Sequence, residues 1–200
     1  MILSNSAIFI ALDEKRLVIE PEPTPRVPDE GPDEGWPYGT TAVDLRLGDE
    51  VSWFNEGLTV NVDLRKDKFA EFFAPNSTSR IITEAQPFVL MPGKLVLANT
   101  LERVELPIIE GMPALAARVE GRSSFARCGV LVHFTAPTIH AGFSGRITLE
   151  LINLGPLPIL LFPSMYICQL IVEEVGGVPL RNDSQFQGQL QPSGGSASKI

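Results

Sequence analysis

Residues 119–158 read VEGRSSFARCGVLVHFTAPTIHAGFSGRITLELINLGPLP. In the GRITLEL portion, strand geometry sends successive side chains to opposite faces, so Ile147, Leu149 and Leu151 share one face and Thr148, Glu150 and Ile152 the other. The alternation recurs on both sides of this block. TTAVDLRLGDEVSWF shows it before, TVNVDL repeats it after a turn at Gly57, and PFVLMPGKLVLANTLERVEL forms two strands around Pro92 and Gly93. LVIEP, PALAARV, GVLVHFT and PILLFPSMYICQLIVEEV continue the pattern with Gly or Pro between them. Many short strands at short intervals predict an all-β, barrel- or sandwich-like fold with few helices.

Ser4 is an N-cap candidate, and Ala7, Ile8, Ile10 and Ala11 form an apolar stripe, which predicts a small helix over 5–13. KDKFAEFFAP offers one or two further helical turns. The segment 20–40 carries many prolines and acids and reads as a solvated loop. The tail, 176–200, is polar and Gly/Ser-rich and needs a ligand or neighbouring subunit to order it. Two hundred residues, 44% of them hydrophobic, suit a single domain.

A formal net charge of −8 excludes a protein that wraps nucleic acid through clustered cations. A small anionic ligand stays open, because a few arginines make a local positive pocket. No apolar run reaches a membrane span, and the first residues lack the cationic and cleavage regions of a signal peptide, so no membrane association and a cytoplasmic location are expected. Cys128 and Cys168 read as buried free thiols whose spacing fits no zinc signature, and the chain lacks the H-x-E with P-C-x-x-C of zinc-dependent nucleobase deaminases.

The polar residues within this apolar block each admit two readings. Glu150 is either solvent-exposed or held in a cleft where burial raises its proton affinity for acid–base work. Arg122, Ser123, Ser124 and Arg127 suit a phosphate or polarised carbonyl, or else form a capped turn with surface arginines. His133 reads as a hydrogen-bonded structural histidine on a strand. His140 lies beside Gly142 and Gly145 in a hairpin loop.

GRSSFAR followed by LVHFTAPTIHAGFSGRITLEL resembles the dCTP deaminases, the deaminating branch of the dUTPase-like trimers. AVDLRLG at 42–48, FVLMPGKLVLANTLERVELP at 88–107 and QFQGQ at 185–189 extend the resemblance over nearly all of the chain outside the Pro-rich loop. It implies a mainly β, dUTPase-like distorted barrel (β-clip) with one or two short helices. It further implies a homotrimer with active sites at subunit interfaces, dCTP as substrate, Mg²⁺ carried on the triphosphate, no zinc, and dTTP as an effector. Position by position, Glu150 matches the catalytic acid/base. Ser123 and Arg127 match residues that position water and stabilise the intermediate, with Arg127 supplied by the adjacent subunit. Arg122 and Ser124 match phosphate-side residues, Ala136 a backbone contact to the reacting base, and Gln189 a tail residue over the triphosphate.

Departures from the family pattern bear on the product. His140 stands where an aspartate near the sugar is usual and where dUTPase-type hydrolysis draws its water activator. This favours deamination to dUTP and ammonia over the two-step route to dUMP and pyrophosphate. Thr138 occupies a position that is arginine in some deaminases, Gln185 and Phe186 replace a lysine and a tyrosine, and Ser164 replaces a turn glycine. A nucleotide-binding trimer with impaired catalysis is the alternative from another class.

Overall fold

A computed structural model describes residues 1–27, 36–63, 65, 69–180, 188 and 191–192. Its strands are β1 (Val18–Glu20), β2 (Val43–Phe54), β3 (Ser77–Ile81), β4 (Phe88–Leu90), β5 (Leu95–Glu105) and β6 (Leu115–Gly121). They continue as β7 (Val130–Leu131), β8 (Thr138–Ile139), β9 (Ser144–Asn153), β10 (Ile159–Leu161) and β11 (Tyr166–Glu174). Among the described residues three short α-helices accompany them, α1 (Asn5–Asp13), α2 (Phe69–Phe73, continued by a 3-10 turn over Ala74–Asn76) and α3 (Ser123–Ala126), so α3 stands beyond the one or two expected.

The strand order β7-β9-β5-β2-β11-β6-β8, with β1 on β5 and β3 on β2, makes one nine-stranded sheet, and β4 and β10 pair separately. Strand β2 is the corner. Its first half, Val43 to Arg46, pairs with β11, whereas Glu50 to Phe54 pair with β3, and its register on β5 shifts between Leu47 and Val51. Such a bulge bends a strand and raises its twist, which lets one sheet curl around a core. Gly48 sits in that irregularity, where a Cβ would stand 3.0 Å from the Asn99 carbonyl oxygen.

The alternation read from GRITLELIN is observed directly: Gly145, Ile147, Leu149, Leu151 and Asn153 are buried, and the residues between them are half-buried. The inward row packs with Leu45, Leu47, Val96, Ala98, Leu170 and Val172, and α1 adds Ile8, Ala11 and Leu12 to the same core. Ser4 caps α1 as its sequence predicts, its hydroxyl accepting from the Ala7 N–H at 3.3 Å. Ser164 adopts φ 62°, the left-handed region where glycine is the unstrained choice, which is the physical content of that replacement.

Several expectations fail locally. Of the two cysteines expected to be buried only Cys168 is; Cys128 is exposed in the turn that follows α3. Thr59 to Asp63 joins no ladder among the described residues, and Leu58, Val60 and Val62 stand exposed. A period-2 pattern makes a strand only where a neighbour supplies hydrogen bonds. GVLVHFT is paired only at Val130 and Leu131, so His133 lies beyond the strand rather than on it. Both ends of the Pro-rich segment are docked rather than solvated. Pro23, Pro37 and Tyr38 are buried, the Trp36 indole N–H donates to the Arg26 carbonyl at 2.8 Å, and Arg26 reaches Asp13 at 2.7 Å.

Candidate active site

One face of the curled sheet forms a wall of a cleft of about 980 Å³. Strand β9 contributes Thr148 and Glu150, β5 contributes Leu97, and the 136–143 segment contributes Ala136, Thr138, His140 and Phe143. Trp53 and Phe54 at the end of β2, with Phe69 and Phe73 of α2, make an aromatic side. Phe73 is anchored against Phe54 edge to face at 4.8 Å and stacked on Phe69 at 5.1 Å. Leu180 and Pro192 from the C-terminal region also line the cleft, and the Gly188 N–H donates to the Ser144 carbonyl at 2.8 Å. The described part of the tail therefore runs beside the start of β9.

Glu150 is half-buried, directly opposite Leu97 of β5. Burial pushes its carboxyl above the ordinary carboxylate range, while hydrogen bonds from the backbone N–H of Phe134 and from its own backbone, and the nearby His133, pull the other way. Of the two readings of Glu150, the cleft is the one observed. A carboxylate held by a backbone donor yet reluctant to ionise can both take and return a proton.

The remaining predicted residues divide sharply. Ala136, Thr138 and His140 join Glu150 on the cleft, all three of them exposed. Strand β8 fixes this wall by pairing Thr138 with Arg118 and Ile139 with Ala117 of β6. Ser123, Ser124 and Arg127 lie on or just after α3, exposed and outside the lining of this cleft. Arg122 is committed within its own chain. Its guanidinium is 3.3 Å from the Asp44 carboxylate and lies over Phe125 and Tyr166 at 5.8 and 5.7 Å, while Asp44 also accepts from Gln169 at 2.9 Å. Gln189, like Gln185 and Phe186, falls outside the described residues.

Sequence reading missed the Phe134 N–H, which has no side-chain signature, and the aromatic side, whose members are distant in sequence. It also missed the influence of His133 on Glu150. His133 Nε2 lies 3.6 Å from Glu120, and its Nδ1 is buried with no partner among the described residues.

A family model described as dCTP deaminase-like matches residues 2–175. A dUMP-forming dCTP deaminase of Methanosphaera stadtmanae is 35% identical over 197 residues, 96% of this chain and 91% of that protein. A dCTP deaminase of Natronomonas pharaonis is 37% identical, covering 100% of this chain and 95% of the relative. The crystal structure of 2′-deoxycytidine 5′-triphosphate deaminase from Agrobacterium tumefaciens superposes with a TM-score of 0.59 at 18% identity, over 88% of this chain and 48% of that one. This chain spans about half the length of that protein, and the likeness carries the mainly β fold alone. With a family model spanning most of the chain and relatives aligned along nearly its whole length, this protein belongs to the dCTP deaminase-like family.

Proposed function

We propose that this chain catalyses hydrolytic deamination of dCTP. Water adds to C4 of the cytosine ring, Glu150 takes its proton, and the ring becomes tetrahedral at that carbon. Glu150 delivers that proton to N3, then carries the proton of the new C4 hydroxyl to the amino group; the C4–N bond breaks as C4=O forms, ammonia leaves and the uracil base remains. The observation that carries this reading is the half-buried carboxyl of Glu150 on the cleft wall, its proton affinity raised by burial. A base of that kind shares the proton with a weakly acidic water far better than a solvated carboxylate does.

In this reading the active unit is a homotrimer, and Ser123 and Arg127 serve the cleft of a neighbouring subunit, where they orient water and stabilise the charge built at C4. Support comes from their exposure on α3, away from the cleft of their own chain. Ser124 and Arg122 face the triphosphate, with Arg122 preorganised by Asp44 and two aromatic rings. Ala136 offers its backbone to the base, while Thr138 and His140 lie toward the sugar. Gln189 closes over the phosphates. Mg²⁺ travels on the triphosphate as part of the substrate.

The product assigned to this chain is dUTP, because a histidine rather than a carboxylate occupies position 140 on the cleft. The names of the relatives from Methanosphaera stadtmanae and Methanobrevibacter smithii favour a second reading in which dUMP and pyrophosphate leave. Incubation with dCTP and Mg²⁺, followed by ion-exchange separation of nucleotides and an ammonia assay, tests both. Ammonia with dUTP supports the first reading and ammonia with dUMP the second. Binding of dCTP without ammonia would sink deamination and leave a nucleotide-binding trimer.

A further inference from the structure

On the face that carries Glu150 lies a pair of polar side chains, one at the cleft wall and one buried, that the chemistry above does not employ. Along the β5–β9 ladder Leu97 faces Glu150, and the next same-face pair is Asn99 opposite Thr148. Directly opposed residues keep their side chains on one face with Cβ atoms about 5 Å apart, so Asn99 and Thr148 belong to the face that carries Glu150. Asn99 is only 3% exposed. Its Oδ1 and Nδ2 and the Thr148 Oγ1 are all buried and have no hydrogen-bond partner within the described protein. Buried groups of this kind are almost always satisfied, by protein or by ordered water.

The fold itself does not employ the Asn99 amide. The ladder slips just beyond Asn99, and the neighbouring Thr100 repairs it: its hydroxyl accepts from the Ile147 N–H at 3.0 Å and donates to the Glu102 carbonyl at 2.7 Å. Gly48 of β2 passes close against the Asn99 carbonyl, which fixes the backbone at this point. The side chain is left with two kinds of hydrogen-bonding atom and no partner among the described residues.

We propose that Asn99 and Thr148 hold a buried water that hydrogen-bonds to the Glu150 carboxylate, making them positioning residues for the deamination described above, on which this role rests. The water accepts from the Asn99 Nδ2–H and donates to Glu150, with the Thr148 hydroxyl completing its partners. Residues two apart on a strand are separated by about 6.6 Å, a gap that one water spans. Together with the Phe134 N–H, this water favours the charged form of Glu150 and orients the carboxylate before the substrate arrives. Among the described residues, the other ionisable groups around Glu150 are His133, which also meets Glu120, and His140 on the same cleft wall. The test leaves all three unchanged.

Thr148→Val keeps a β-branched side chain on the strand and removes only the hydroxyl, and Asn99→Leu removes both amide atoms. Side-chain carboxyl ¹³C NMR titration, with the Glu150 signal assigned by its loss in Glu150→Gln, reads the proton affinity without turnover. Both substitutions are expected to move the Glu150 titration to higher pH. With dCTP, the acidic limb of kcat/KM should move the same way and kcat should fall about tenfold with KM little changed, less than the roughly 10²–10⁴-fold expected from losing the general acid–base itself. An unmoved Glu150 titration in Thr148→Val overturns the proposal, and that variant decides alone if Asn99→Leu does not fold. If the unsubstituted protein does not deaminate dCTP, the reaction reading fails while the titration still decides whether the water is there.

Discussion

Strand β9 and helix α3 carry the two halves of the inferred machinery and meet solvent in opposite ways. Glu150 is held by a regular ladder, half-buried, with a backbone donor and a raised proton affinity. Ser123 and Arg127 sit on and just after a single helical turn, exposed and outside the lining of their own chain's cleft. The contrast is that the proposed acid/base is half-buried within its own chain, whereas the proposed charge-stabilising groups stand exposed, as the proposed trimer requires of groups that serve a neighbouring subunit.

The largest effect that would break this comparison belongs to Glu150. Glu150→Gln should lower kcat for dCTP by about a thousandfold, in the range of a lost general acid–base, without altering the oligomer measured by sedimentation. Near-normal turnover would remove Glu150 from the reaction. The contrast is sharpened by mixing two inactive variants. Subunits carrying Glu150→Gln and subunits carrying Arg127→Ala, unfolded and refolded together at equal amounts, should regain about a quarter of full activity, because in a cyclic trimer that fraction of interfaces pairs two intact residues. Failure to recover would place both residues in one subunit's site.

A third test addresses what holds α3. A Cβ on Gly155 would overlap the Cys128 carbonyl oxygen, and one on Gly129 would overlap Gly155, so the turn after α3 crosses the turn after β9 through backbone alone. Gly155→Ala should reduce stability by about 2–4 kcal/mol in urea and lower kcat as α3 moves. Gly176→Ala, which meets nothing within 4 Å, serves as its control. Product analysis of His140→Asp is expected to show a rise in dUMP at unchanged ammonia release; no change in product would detach position 140 from pyrophosphate release.

The smallest effect is on stability against pH. Glu150 binds its proton more tightly folded than unfolded, so the native state holds more protons between the two pKa values and stability falls as pH rises through that window. Glu150→Gln removes this loss. Its melting temperature relative to the unsubstituted chain should therefore be higher at pH 7 than at pH 4, and the reverse order would contradict the burial of Glu150.

How much was legible depended on the range of the interactions. The face of Glu150, the two strands around Pro92 and Gly93, and the Ser4 cap rest on neighbours within a few residues, and each stands where the local pattern put it. Strand β3, STSRI, carries no apolar alternation and is mostly exposed, yet pairs with β2 across five positions. TVNVDL has the alternation and, over its described residues, no partner. Arg122 is drawn to Asp44, far earlier in the chain, and no spacing rule anticipates that ion pair.

By itself, then, the sequence determined the strand-rich class, the faces of its main strands and, through the GRSS-to-TLE block, the family. Those properties follow from the period of two in an extended chain and from side-chain chemistry at fixed local spacing. Only the tertiary structure decided that Glu150 is half-buried beside Phe134, that Ser123 and Arg127 stay outside the cleft lining, and that Asn99 and Thr148 stand opposite each other on the face of Glu150. Burial, proton affinity and unsatisfied polar atoms are properties of what surrounds a residue, and in this curled sheet those surroundings are assembled from strands distant in the chain.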